Sequence, residues 1–331
     1  MQFNRLTKLK CLFLALAMFC LSFTGCVLSP AASPVSATGF YFDTVISVTV
    51  YDPSQEPLLE ECMGLAEYYE NLLSPNKEGS DIWEINHSQG AYVTVDEDTL
   101  SLLSAALSYA QLSEGLADPA IGALSGLWNF GSGNQEILPA ASQIKEAISH
   151  VDYQAIVIKG NQVKLTDVLT QIDLGFIAKG FIGDKIKEFL LSEGVSSALI
   201  NLGGNVVALG NKPDGTPYRV GIRDPFGSPG SVLLTLEVSG ESVVSSGNYE
   251  RFFEKDGKRY HHILSPETGY PAESGLAQAT IISPASVDGD ALSTLCFLLG
   301  YEKAASLLEN YPDIRAIFVA EDGNVSYVNF H

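Results

Sequence analysis

The chain has 331 residues, enough for one large domain or two modest ones, and 46% hydrophobic and 18% charged content suits a globular protein with a core. The formal net charge is −20, and the few Lys and Arg residues are scattered, so a nucleic-acid-binding surface is excluded. An acidic protein that binds an anionic cofactor must neutralise it locally, with a metal ion or backbone N–H groups.

The first 25 residues have the pattern of a signal peptide. A positively charged start precedes an apolar run at 11–21, which is too short to be a comfortable membrane span. Small residues then lead to Cys26, which resembles a bacterial lipobox. We therefore expect cleavage before Cys26, a lipid on its thiol and a location on the outer side of a bacterial cell membrane. A plain signal peptide and an uncleaved anchor are the alternatives.

The residues after Cys26 predict a flexible tether over 26–38, because they are rich in Ser, Ala and Pro. Hydrophobic periodicity then predicts the elements that follow, in chain order. The predicted helices are 57–73, 98–114, 141–149, a helix within 173–193, 286–300 and 301–311. The predicted strands are 40–51, 153–159, 162–165, 197–210 (interrupted at Gly203-Gly204), 217–223, 231–238, 242–246, 261–264, 280–283, 315–320 and 325–329.

Two remaining stretches, 74–87 and 115–133, are predicted to be irregular. Strands and helices mix without strict βαβ alternation, and no linker divides the chain after the tether. The pattern predicts an α+β fold with mixed, largely antiparallel sheets and packed helices, forming a single catalytic unit over 39–331.

Two cysteines follow the tether, Cys62 and Cys296, and both lie in apolar helical patterns. In an oxidising compartment they could form a disulfide. Two buried free thiols are the interpretation we favour. The cysteine spacing does not suggest a metal site.

A turn at 172–180 runs straight into a predicted helix. Such a turn exposes backbone N–H groups and the positive end of the helix dipole, and it also offers free carbonyls. Asp173 and Lys179 would lie close to this turn. A capping Asp and a solvated Lys are the alternative interpretation.

A Gly-containing edge with hydroxyl groups, 245–251, precedes a strand that carries His261 and His262. Strand alternation places the two imidazoles on opposite faces, so one can point into a site while the other faces solvent. Because a His titrates near neutral pH, it is a natural general base. An ordinary surface pair is the alternative.

The third motif is Asp290 with Thr294, which are four residues apart on a predicted helix and therefore share one face. A carboxylate and a hydroxyl are hard oxygen ligands, which suit Mg²⁺. Helix capping by the Asp and a Thr buried in the core are the alternative.

Taken in order, these segments resemble the ApbE family of FAD:protein FMN transferases, and the likeness runs from residue 40 to about residue 300. The segments that carry it are ADPAIGAL at 117–124, LWNFG at 127–131, IDLGFIAKG at 172–180, NLGGN at 201–205, VGIRDP at 220–225, SGNYER at 246–251, HILSPETGYP at 262–271 and GDALST at 289–294.

The resemblance implies a T-fold-like enzyme that cleaves the FAD pyrophosphate, places FMN on a Thr or Ser hydroxyl of another protein and releases AMP. It implies His262 as the catalytic base, and Mg²⁺ held by Asp290, Thr294 and the backbone carbonyl of Phe176. The implied flavin and adenosine contacts are Phe42, Asn76, Leu116, Ala117, Asp118, Asp173, Lys179 and Ile263 or Leu264.

The resemblance also implies partners: exported or membrane flavoprotein subunits of the Rnf or Na⁺-translocating NADH:quinone reductase type, or extracellular flavoproteins. Two other functions stay open at this point. One is an FAD pyrophosphatase that releases free FMN and AMP, and the other is a non-catalytic flavin-binding lipoprotein. Ser265 departs from the family pattern, which often has Asp there.

Overall fold

The structure is a computed structural model that describes residues 33–130 and 137–330. The predicted signal peptide, the lipidation site Cys26 and the first part of the tether lie outside the described residues. Residues from Pro34 onward group as one compact unit. Within the described residues, we find no helix with the length and apolarity required to cross a bilayer.

The described chain contains eight α-helices and fifteen strands. The helices are α1 (Leu58–Leu73), α2 (Asp81–His87), α3 (Glu97–Leu112), α4 (Gly122–Trp128), α5 (Ala141–Ile148), α6 (Ala178–Ser192), α7 (Ser286–Leu299) and α8 (Tyr301–Leu308). The strands are β1 (Val35–Tyr41), β2 (Thr44–Val50), β3 (Val93–Thr94), β4 (Ile156–Lys159), β5 (Gln162–Leu165), β6 (Ser197–Leu202), β7 (Asn205–Gly210), β8 (Tyr218–Arg223), β9 (Val232–Val238), β10 (Ser242–Gly247), β11 (Phe252–Lys255), β12 (Lys258–His261), β13 (Leu276–Ser283), β14 (Arg315–Ala320) and β15 (Val325–Val328).

The central sheet has eight strands in the order β1-β2-β6-β7-β10-β13-β14-β15, and each neighbouring pair is antiparallel. Three smaller units accompany it: the sheet β3-β5-β4 and the hairpins β8-β9 and β11-β12. The predicted α+β class with largely antiparallel sheets is confirmed.

Apolar residues cover both faces of the central sheet. Successive residues along a strand point to opposite faces, and each face has its own apolar cluster. Along β13, Ile281 packs with the apolar residues of α7, whereas Ile282 packs with the β8-β9 hairpin. Along β14, Phe318 likewise packs in the cluster with α7, and Ile317 packs in the cluster with the β8-β9 hairpin. Helices α6 and α7 therefore lie side by side on one face of the sheet, and their first turns meet there.

The predicted strand 40–51 was wrong in its bounds, because it is a hairpin of β1 and β2. The two residues of the turn, Phe42 and Asp43, have φ angles of 53° and 56°. Positive φ at both turn residues suits the twist of a two-residue hairpin, but Phe-Asp is not the usual sequence for it. The hairpin also extends into the predicted tether, whose residues 35–38 belong to β1.

Two segments predicted to be irregular contain helices. Helix α2 begins after Ser80, whose hydroxyl accepts a hydrogen bond from the Trp83 amide at 3.0 Å, and it buries Ile82 and Ile85. Helix α4 lies in the second of these segments, and it ends at Asn129, whose backbone has the left-handed conformation. Each has only seven residues, so the periodic signal is short.

The predicted strand at 261–264 is also wrong. The strand of this region, β12, ends at His261, and Leu264 forms only an isolated bridge with Pro271. Strand β12 pairs with β11 through a turn at Asp256-Gly257, both with positive φ. Asp-Gly is a strong hairpin signal, so the sequence carried the information for this pairing.

Cys62 and Cys296 are free and buried, as favoured from the sequence. They lie in different apolar clusters. Burial raises the pKa of each thiol to about 12, which keeps both protonated and unreactive at neutral pH.

Gly180 is the point where α6 approaches α7 most closely. A Cβ at this position would lie 2.2 Å from the Ser286 carbonyl oxygen and 2.7 Å from the Asp290 Cβ. We expect Gly180→Ala to lower the free energy of unfolding by about 1–3 kcal/mol, because the two helices must separate. Urea denaturation measures the change.

Gly64→Ala is the matched control, since Gly64 lies within α1 and a Cβ there meets nothing within 4 Å. That variant should gain about 0.5–1 kcal/mol from helix propensity. Equal stability of Gly180→Ala and the wild type would contradict the close contact.

Candidate active site

The start of α6 and the second turn of α7 bring a carboxylate, an ammonium and a backbone amide together. Asp290 is 3% exposed, and its Oδ2 accepts a hydrogen bond from the Gly180 amide at 2.9 Å. Its Oδ1 lies 3.4 Å from the Lys179 Nζ, which also donates to the Gly175 carbonyl at 3.3 Å. A cationic group therefore already bridges a buried carboxylate and a loop carbonyl.

Thr294 lies one turn beyond Asp290 on α7. Its Oγ1 is 3.1 Å from the Ser246 Oγ, which also hydrogen-bonds the Ser293 hydroxyl at 2.8 Å. Ser246 is close to the end of β10, so this contact joins the 246–251 segment to the helix that carries Asp290. The predicted oxygen ligands Asp290 and Thr294 thus lie on one face of α7, and Lys179 lies beside Asp290.

The third predicted metal ligand is the Phe176 carbonyl, in the turn that precedes α6. Within the described residues, no hydrogen bond of the backbone ends on this carbonyl. The Gly180 amide, four residues on, is donated to Asp290 instead. The carbonyl next to it, Gly175, is the one that contacts Lys179.

The oxygen atoms of Asp290, Thr294 and the Phe176 carbonyl fit a hard divalent cation such as Mg²⁺. The Lys179 ammonium cannot be a ligand, because it has no lone pair, so it would have to leave the Asp290 carboxylate for a cation to bind there. Over residues 33–130 and 137–330, no group of three His, Cys, Asp or Glu side chains is arranged to hold a metal. Of the three predicted ligands, only Asp290 is of those types, so such a group is not required for the predicted site.

The expectation that one of the two histidines faces solvent is wrong, because His261 is buried and His262 is half-buried. Strand alternation does not apply to this pair, since β12 ends at His261. The His261 Nε2 lies 3.1 Å from the Ala272 carbonyl oxygen, and its ring packs edge-on against Phe297 under α7. The His262 amide donates to the Arg251 carbonyl at 3.0 Å, while its Nδ1 is buried without a hydrogen-bond partner. Each imidazole thus has one buried nitrogen without a hydrogen-bond partner, since the His261 Nδ1 lacks one as well.

The surroundings of His262 keep it neutral. Burial lowers its pKa to about 3, and the charges of Arg251, His261 and Lys179 act in the same direction. The residues on either side of His262 pack against α7, because His261 contacts Phe297 and Ile263 shares an apolar cluster with Leu295. Burial also lowers the pKa of His261, to about 4.

Two predicted cofactor contacts, Asp118 and Asp173, hold the loops beside this site. The Asp118 carboxylate accepts hydrogen bonds from the Ala120 amide at 2.7 Å and the Tyr153 amide at 2.9 Å. Burial raises the pKa of Asp118 to about 6, although both amides favour the ionised form. The Asp173 carboxylate accepts from the Ser125 hydroxyl at 2.6 Å and from its own turn.

The apolar residues predicted to contact the flavin or the adenosine fall into two groups. Leu116, Ala117 and Ile263 pack in one cluster beneath α7, whereas Leu264 packs with Trp128 in another. A cavity of about 510 Å³ lies beside the first group and is lined by Leu116. Of the two alternatives at 263 and 264, Ile263 is the one that shares a cluster with Leu116.

Phe42 and Asn76 lie near the carboxyl end of α1. The Phe42 amide donates to the Glu70 Oε1 at 2.6 Å, and its ring packs against the same core cluster as Phe176. Asn76 is exposed and its amide donates to the Ser74 hydroxyl at 3.3 Å. Among the described residues, no hydrogen bond joins Phe42 or Asn76 to His262 or Asp290.

Sequence reasoning missed two residues that build this site. The Asn86 side chain pairs with both backbone groups of Ile172, at 2.7 and 3.0 Å, and so fixes the chain before Asp173. Asp184 accepts hydrogen bonds from the first amides of α7. Asn86 lies on α2, which was predicted to be irregular, whereas Asp184 follows Gly180 by one helical turn and could have been noticed.

Comparison with known proteins agrees with this geometry. The model of the ApbE family matches residues 42–318. An FAD:protein FMN transferase of Treponema pallidum (strain Nichols) is 40% identical over 302 residues, covering 85% of this chain and 83% of the relative. One of Klebsiella pneumoniae (strain 342) is 37% identical over 273 residues, covering 82% and 84%.

The crystal structure of the ApbE protein from Thermotoga maritima superposes with a TM-score of 0.82 at 32% identity, covering 89% of this chain and 97% of that one. These likenesses place the chain in a class of enzymes, the flavin transferases. The chain belongs to the ApbE family, which confirms the family and the enzyme class expected from the sequence.

Proposed function

We propose that this enzyme transfers FMN from FAD to a Thr or Ser hydroxyl of a partner flavoprotein and releases AMP, with Mg²⁺ as its metal. The observation that supports it most directly is the buried Asp290 carboxylate beside Lys179, with the segment that carries His262 packed against the same helix α7. Its relatives are FAD:protein FMN transferases.

Asp290, Thr294 and the Phe176 carbonyl are the residues that would hold Mg²⁺. When bound, the ion would neutralise charge on the FAD pyrophosphate and stabilise the transition state by several kcal/mol. Lys179 adds a point charge that can hold an anionic phosphate oxygen. These two cations would offset the repulsion between FAD and a chain of net charge −20.

His262 is the proposed base. In the step, the acceptor oxygen forms a bond to the FMN phosphorus, the bond from that phosphorus to AMP breaks, and AMP leaves with the electron pair. The proton of the acceptor hydroxyl passes to His262, whose free Nδ1 can accept it. An anionic substrate raises the pKa of a nearby imidazole, which opposes the low value of about 3 in the free enzyme.

Lipid anchoring at Cys26, a location outside the cytoplasm and partners of the Rnf or Na⁺-translocating NADH:quinone reductase type are further parts of the proposal. They rest on the sequence pattern of the first 26 residues and on the family resemblance. An anchored enzyme of this kind would meet flavoprotein subunits exposed at the same membrane surface.

Incubation with FAD, Mg²⁺ and a purified Rnf-type flavoprotein subunit tests the function. We expect the subunit to gain the mass of FMN less water in intact-protein mass spectrometry, and AMP to appear in equal amount. The reaction with EDTA is the control. Free FMN without any protein adduct would instead identify a pyrophosphatase, and bound FAD without turnover would identify a flavin-binding protein.

Asp290→Asn tests the proposed metal ligand. Asn keeps an oxygen for the Gly180 amide but removes the charge, so we expect the variant to fold and to lose Mg²⁺-dependent AMP release by at least about 10²-fold. Asp288→Asn is the matched control, because Asp288 lies on the same helix and bonds Tyr109 at 2.7 Å. Wild-type turnover by Asp290→Asn would refute the assignment.

His262→Ala tests the proposed base. We expect FAD binding, followed by flavin fluorescence, to stay close to that of the wild type, while transfer falls by about 10²–10⁴-fold. His150→Ala serves as the control, since His150 pairs with Asp167 on another part of the surface. Transfer at the wild-type rate would show that His262 is not the base.

A further inference from the structure

Helix α6 presents one face to the start of α7. Gly180, Gly183 and Asp184 lie three and four residues apart and so share this face. The Asp184 Oδ1 accepts a hydrogen bond from the Ser286 amide at 2.9 Å, and its Oδ2 accepts one from the Val287 amide at 2.8 Å. Both carboxylate oxygens of Asp184 are therefore committed to the first turn of α7.

The contact is reciprocal. The first amides of any helix have no partner within the helix, and they carry the positive end of its dipole. Asp184 on α6 satisfies two of these amides on α7, and Asp290 on α7 satisfies the Gly180 amide on α6. Each helix start is thus capped by a carboxylate from the other helix. Ala285, at the N-cap of α7, supplies no side-chain cap of its own.

This contact connects the two halves of the proposed metal site. Asp290 and Thr294 belong to α7, whereas Phe176 and Lys179 belong to α6 and the turn before it. The two halves can move relative to each other only if the helices slide or separate. Gly180 already touches the Ser286 carbonyl, so the Asp184 hydrogen bonds oppose separation at the one place where the helices are closest.

We propose that Asp184 is a positioning residue for the metal site, holding Asp290 at its working distance from the Phe176 turn. The inference rests on the proposed function, since it assumes that a divalent cation binds there. Asp184 itself stays on the amides of α7 and contacts no substrate. Partners that orient ligands in this way typically contribute about 10–100-fold to metal affinity.

Mn²⁺ binding, followed by electron paramagnetic resonance of the free ion, tests this role without any turnover. We expect Asp184→Asn to weaken Mn²⁺ binding by at least about tenfold at a temperature where circular dichroism shows it folded. Glu241→Gln is the matched control, because Glu241 also accepts two hydrogen bonds between elements, both at 2.8 Å from Arg315. That control should bind Mn²⁺ like the wild type.

Asp184→Ser is the second variant. Its hydroxyl is one bond closer to the backbone than the carboxylate oxygens of Asp184 and does not reach the two amides of α7, so the folded variant should bind Mn²⁺ at least as weakly as Asp184→Asn. If folded Asp184→Asn or Asp184→Ser bound Mn²⁺ as tightly as the wild type, the positioning role would be overturned while the proposed function stood. If the wild type itself bound no Mn²⁺, the metal site of the proposed function would fail, and this inference with it.

Discussion

The close approach of α6 to α7 is the constraint on which the rest of the site depends. Two helix starts point their unpaired amides toward each other's carboxylates, and only a glycine at position 180 leaves room for it. Amide dipoles and carboxylates attract most strongly when they are shielded from water, and Asp290 is almost fully buried. The central sheet supplies the flat surface on which the two helices can lie this close.

A second consequence concerns charge. The chain as a whole is strongly acidic, yet Lys179, Arg223 and Arg251 all lie within electrostatic range of Glu250. Burial raises the pKa of Glu250, and these three cations oppose that shift. Scarce cations concentrated in this way would let an acidic protein attract an anionic ligand at one place. The charges of Arg251 and Lys179 also add to the burial that lowers the pKa of His262.

The sequence predicted local geometry better than contacts between distant elements. Asp290 and Thr294 were placed correctly on one helix face because residues four apart lie one above the other on a helix. The strand alternation expected for the two histidines failed, because β12 ends at His261. Asp184 and Asn86 act across distances of about a hundred residues along the chain, to Ser286 and Ile172. No local periodicity reports such contacts, since they depend on how the helices pack. The short helices α2 and α4 were missed because a seven-residue helix spans only two turns of its own pattern.

The hydrogen bonds that Asp290 already accepts limit how many of its oxygen lone pairs can bind a cation. Its Oδ2 already accepts from the Gly180 amide and its Oδ1 from Lys179, so part of the carboxylate's acceptor capacity is used before any ligand binds. The Thr294 hydroxyl shares its hydrogen-bonding capacity with Ser246 in the same way. A site with so few free oxygens on its own side chains must complete any cation's coordination with a backbone carbonyl, with water or with the substrate's phosphates. Affinity for the cation and affinity for an anionic substrate are therefore expected to rise together, because each supplies what the other lacks.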